Sequence, residues 1–155
     1  MNEKLLVLER SIRADLETIE GLYQALGDPI LDDGEPQETL IVVAYRLHNL
    51  YSAFENIFRN IAAAFEDNLN EQSGWHRQLL QRMRLDLSPI RPAVIDEEAY
   101  EKLDELLRFR HLFRSAYGVN LDAPRLHLVV RKALELRSLY QPQIERFLDF
   151  LRSLQ

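Results

Sequence analysis

At 155 residues, with 46% apolar and 28% charged residues, the chain has the size of one domain and an ordinary globular composition. A disordered or fibrous chain is excluded, and the absence of cysteine excludes disulfides, thiolate metal sites and cysteine nucleophiles. The net charge of −6 gives no overall attraction to a polyanion. No run approaches the roughly 18 apolar residues of a membrane span. The start, Met1 to Glu9, meets acidic residues before a signal-peptide core develops. The expectation is therefore a cytoplasmic, single-domain protein over residues 1–155, with no membrane partner.

Apolar residues recur every three or four positions from Glu3 to about Ala25 (Leu5, Leu8, Ile12, Leu16, Ile19, Leu22), which predicts one amphipathic helix. Gly27-Asp28-Pro29 ends it. A long second helix is predicted from Pro36 to about Phe65, with Leu40, Val43, Leu47, Leu50, Phe54, Ile57, Ile61 and Phe65 in near-heptad spacing. A shorter helix follows Ser73, carrying Trp75, Leu79, Leu80 and Met83. The prolines of Leu87-Ser88-Pro89-Ile90-Arg91-Pro92 predict an extended link. Asp96 is a good N-cap for a fourth helix, with Glu97 and Glu98 in its first turn and a stop near Gly118. Asp122 is expected to cap a last helix, running to about Leu154 and kinked at Pro142. Nothing alternates with period two for long. The fold class is all-α, an antiparallel up-and-down bundle of four to five helices.

Several chemistries have no residues to carry them. The chain has no Gly-rich phosphate loop, nucleophile elbow, His-Glu-x-x-His or paired Glu-x-x-His. Its four histidines, His48, His76, His111 and His127, lie on separate segments without metal-ligand pairing, so neither metal nor cofactor is expected. The informative stretch is Arg108 to Gly118, where Arg108, Arg110 and Arg114 stand without an internal acid. On a helix Arg110, Arg114 and Tyr117 share a face, with His111 and Ser115 on the adjoining ridge. Such a cluster needs an outside anion or acids from elsewhere. Two readings stay open at this level: a solvated face paired to Glu101, Asp104 or Glu105, and an anion site. Trp75 reads as a core anchor rather than a stacking platform, and His48 as a packed histidine. His76 with Arg77 fits either a substrate path or a helix surface.

This stretch resembles the signature helix of the HEPN superfamily, in its HepT-like branch of ribonuclease toxins. The family motif is Arg, four residues, His, one residue, Tyr. Arg110 matches the Arg and Tyr117 the Tyr, while Ser115 occupies the His position. Residues 51–62 (Tyr51-Ser52-Ala53-Phe54-Glu55-Asn56 and onward) resemble the family's long second helix. Ser73-Gly74-Trp75-His76-Arg77 and Ile90-Arg91-Pro92-Ala93-Val94-Ile95 resemble its connections.

The resemblance implies a homodimer whose motif helices meet, and cleavage of RNA without a metal. In that reaction the 2′-hydroxyl attacks the adjacent phosphate. Arg110 would clamp the phosphate and the motif His would move the proton. It also implies a partner antitoxin, a small nucleotidyltransferase of the MNT type, which attaches adenylates to Tyr117. Arg114 joins the set as a neighbouring cation. A serine hydroxyl at position 115 does not titrate near neutrality, and losing acid–base help costs about 10²–10⁴-fold. Three explanations stand side by side: a degenerate member kept for binding, an inactivated variant, or His111 substituting as the base. The rival to a toxin is a non-catalytic HEPN module that binds RNA or a nucleotidyltransferase through the same face. A plain helical scaffold is the third class.

Overall fold

The structure, a computed structural model, describes residues 2–66, 73–115 and 120–155, without the side chains of Arg114 and Ser115. Five helices carry these residues: α1 (Glu3–Leu26), α2 (Gln37–Phe65), α3 (Trp75–Met83), α4 (Glu97–Ser115) and α5 (Ala123–Ser153). The termini follow the sequence chemistry closely. Asn2 Oδ1 accepts from the Lys4 N–H at 3.0 Å, and Gly27, at φ 61°, closes α1 by donating to the Tyr23 carbonyl. At the start of α4, Asp96 Oδ1 accepts from the Ala99 N–H at 2.9 Å, as the N-cap reading requires.

Helix α2 is the hub, packed against each of the other four. Its buried face is the near-heptad stripe, with Leu40, Leu47, Leu50, Phe54, Ile57 and Ile61 almost wholly enclosed. Cross-links fix the directions of the others. Arg13 meets Glu145 and Tyr23 meets Ala133, so α1 and α5 run antiparallel. Lys102 pairs with Glu135, and the Asp96 N–H donates to Gln143, so α4 and α5 do too. His48 faces Phe113 and Glu55 faces Arg110, which sets α4 antiparallel to α2. The centre is aromatic: Tyr23 and Tyr140 stack at 5.8 Å, and Phe54 meets Tyr140 edge-on at 5.1 Å. Burial pushes the Tyr140 hydroxyl up to about 12, and that of Tyr23 up further still.

Two expectations are corrected. The Leu87–Pro92 segment is a tight turn and not an extended link. The Leu87 N–H donates to the Arg91 carbonyl at 2.9 Å and the Ile90 N–H to the Leu87 carbonyl at 2.8 Å, with a cis Ser88–Pro89 peptide. The turn swings Arg91 inward until the side chain is 0% exposed. There it donates to both oxygens of Glu66, and to the carbonyls of Arg82, Leu85 and Pro92, at 3.0–3.3 Å. Proline's pressure toward extended backbone acts on Ser88, but the chain as a whole obeys the buried guanidinium. Asp122, in turn, stands at the N-cap of α5 with no side-chain cap bond. The preceding Leu121 is instead held by Gln37, whose amide exchanges bonds of 2.9 and 2.8 Å with the Leu121 backbone. Helix α5 continues through Pro142. The expected stop at Gly118 lies outside the described residues.

Candidate functional site

The site begins with an acid where an apolar residue belongs. Tyr51, Glu55 and Phe58 share one face of α2, and all three are buried. A carboxylate there is costly unless cations and donors surround it. Two elements supply them. From α3, His76 Nδ1 lies 2.8 Å from Glu55 Oε2; from α4, Arg110 Nη1 donates to Glu55 Oε1 at 3.1 Å. One carboxylate thus bridges an imidazole and a guanidinium across three helices. The Glu55 side chain is 6% exposed, that of Arg110 11%, and that of His76 30%.

The surroundings extend the pattern. The Trp75 ring lies against His76 at 3.7 Å between centroids, and the Arg59 guanidinium sits over Trp75 at 5.1 Å. Asp104 on α4 takes Arg77 Nη1 at 2.8 Å and Arg108 Nε at 3.0 Å, a second carboxylate shared between α3 and α4. Beneath Arg110, 5.6 Å away, is the ring of Tyr51. Burial, with help from the Glu55 charge, pushes the Tyr51 hydroxyl far above its ordinary range, and Arg110 opposes this only in part. Among the described residues, neither the Tyr51 hydroxyl nor Arg110 Nε has a hydrogen-bond partner, although both atoms are buried.

Of the motif residues, Arg110 is the one that the described residues bring into this cluster, where His76, the residue read as either a substrate path or a helix surface, joins it from α3. Arg110 points inward to Glu55, while His111, one residue on, is exposed; neighbours at i and i+1 do not share a face. Arg114 and Ser115 stand in the last turn of α4 with their side chains outside the description, and Tyr117 lies outside the described residues. Arg108 follows the solvated-face reading, paired to Asp104 one turn earlier. Trp75 is half-buried against the core, as an anchor would be. Arg82 and Arg84 pair with Glu66 and Glu97. His127 accepts from the Leu31 N–H at 3.5 Å.

Sequence reasoning passed over Glu55 as a partner, yet it left a trace: an acid on the inner stripe of an otherwise apolar helix face. His76 was noticed, but its link to Glu55 joins residues 21 apart across two helices and has no local signature. No three His, Asp or Glu side chains gather as metal ligands among the described residues, and no described helix is long and apolar enough to cross a membrane.

The described residues form an all-α bundle of five helices, in which the long second helix presents a buried acid to an arginine of the fourth. The family model for HepT-like proteins matches residues 42–151, well over half of the chain, and the chain belongs to that family. No curated protein and no solved structure matches it.

Proposed function

We propose that this chain is the toxin component of a bacterial or archaeal toxin–antitoxin pair, a HEPN-type endoribonuclease that works without a metal. Arg110 is the phosphate clamp. The observation that carries the reading is its state: it stands at the family's arginine position, held by Glu55, with its buried Nε unpartnered among the described residues. A guanidinium has five donors, and a buried donor left unmade costs about 1–3 kcal/mol. A phosphate is the anion that suits a guanidinium, by its charge and by the fork of donors the group presents. In the reaction, the ribose 2′-oxygen attacks the adjacent phosphorus while Arg110 holds the charge developing on the phosphoryl oxygens. Arg114 is a second cation on the same helix. Ser115 in the motif His position removes the usual proton carrier, so the activity is lowered.

The reading includes a homodimer. Ile41, Val42 and Tyr45 on α2 and Leu112 near the end of α4 are exposed apolar side chains, and exposed apolar patches mark partner surfaces. It also includes one domain over residues 1–155, a cytoplasmic location, an MNT-type nucleotidyltransferase as antitoxin, and Tyr117 as the adenylylated residue. The test is cleavage of a defined RNA by the purified chain with chelator present. Arg110→Ala in a Ser115→His background abolishes cleavage if the clamp is right; unchanged cutting by that variant refutes it. One observation favours a second reading, a non-catalytic module that binds RNA or the nucleotidyltransferase: Glu55 already neutralises Arg110. Retention of labelled RNA without cleavage by any variant selects that module.

A further inference from the structure

Resting on the ribonuclease reading, we infer that His76 is the general base of this chain, taking the place of the residue missing at position 115. Its Nδ1 is engaged by the Glu55 carboxylate at 2.8 Å, which fixes the plane of the ring and leaves Nε2 as the nitrogen for chemistry. The other oxygen of the same carboxylate holds Arg110, the phosphate clamp, at 3.1 Å. One buried acid therefore sets base and clamp relative to each other. A histidine oriented by a carboxylate is the arrangement proton transfer requires. His76 is also the accessible member of the three, with 30% of its side chain exposed against 11% for Arg110 and 6% for Glu55.

The step balances without a co-reactant. Neutral His76 takes the proton of the 2′-hydroxyl, and the 2′-oxygen bonds to phosphorus. The bond from phosphorus to the 5′-oxygen breaks. That oxygen leaves with a proton from water, and the imidazolium returns its proton to solvent. The products are a 2′,3′-cyclic phosphate and a 5′-hydroxyl. Glu55 is a positioning residue. The charged groups around His76 are Glu55 and Arg59 from α2, Arg77 beside it on α3, and Asp104, Arg108 and Arg110 from α4.

The experiment measures cleavage of a defined RNA, with chelator, across pH, for the chain as it stands, His76→Asn, Glu55→Gln, Ser115→His, and His76→Asn combined with Ser115→His. The chain as it stands cuts, with a rate that climbs as a base loses its proton. His76→Asn falls by about 10²-fold and loses that limb. Glu55→Gln keeps the limb but lowers the rate, because His76 remains while its ring is no longer held by a carboxylate. Adding Ser115→His to His76→Asn restores cutting, which a merely structural histidine would not allow. Cutting by the chain that His76→Asn leaves undiminished overturns the inference and spares the ribonuclease reading. So does cutting by Ser115→His alone with none by the chain. If His76→Asn loses helix content on circular dichroism and Ser115→His fails to rescue it, the role is structural and the inference falls. Absence of cleavage in every variant removes both.

Discussion

Two arginine–glutamate pairs buried among the described residues are satisfied to very different degrees. Arg91, 0% exposed, meets both oxygens of Glu66 and three backbone carbonyls, and it ties the end of α2 to α3 and the turn that follows. Arg110 meets one oxygen of Glu55, keeps a buried Nε without a partner among the described residues, and shares its carboxylate with a histidine that reaches the surface. The chemical pair is the same; the donors spent are not. A guanidinium whose donors are all used is a structural tie. One that leaves a donor unmade is held less firmly.

The comparison is broken or sharpened by variants of graded effect. Largest is Arg91→Ala, which removes five interior hydrogen bonds and leaves the Glu66 carboxylate to the half-exposed Arg82; breaking a buried pair costs about 3–5 kcal/mol. Urea unfolding should show Arg110→Ala costing less, about 1–3 kcal/mol, since fewer bonds are lost and His76 still faces Glu55. Equal losses for the two variants would mean that Arg110 is as structural as Arg91.

Next comes alkaline stability. The unfolded chain releases tyrosine protons near pH 10, whereas Tyr140 keeps its own up to about 12 and Tyr23 and Tyr51 longer still. Above pH 10 the folded state therefore holds more protons than the unfolded one, so stability falls as pH rises; it is fully present below pH 10. A urea midpoint that stays flat from pH 10 to 12 would contradict the burial of these hydroxyls.

The finest test compares two tyrosines. Tyr23 donates to the Ala133 carbonyl at 2.7 Å, whereas the Tyr51 hydroxyl beside Arg110 has no partner among the described residues. Tyr23→Phe should cost about 1 kcal/mol and Tyr51→Phe close to nothing. A loss at Tyr51 matching that at Tyr23 would show the neighbourhood of Arg110 to be fully bonded.

What the sequence discloses follows the range of the forces involved. Spacings of three and four, the cap at Asp96 and the stop at Gly27 act within a turn or two, and they place all five helices. Arg110 is legible through its motif. Its partnership with Glu55 is not, because 55 residues separate the two and only packing of α4 on α2 joins them. Arg91 is less legible still: an arginine between prolines in a polar segment looks solvent-facing, and only the assembled carbonyls of the turn draw it in. Asp122 shows the reverse, a residue of the right type at a cap whose backbone is instead held by the distant Gln37.

Helix α1 carries one further lesson. The family match opens at residue 42, five residues into α2, so all of α1 lies before it. Yet Leu5, Leu8, Ile12, Ile19, Tyr23 and Leu26 are buried, and α1 packs on both α2 and α5. The recognisable unit and the folding unit are therefore of different lengths. A polypeptide trimmed to the matching region would lose one wall of its own core, along with the Gln37 clip on Leu121. It would emerge as sticky, partly ordered material, whatever the state of Arg110. A version of this chain shortened at this end needs a substitute wall, from another helix or from another chain.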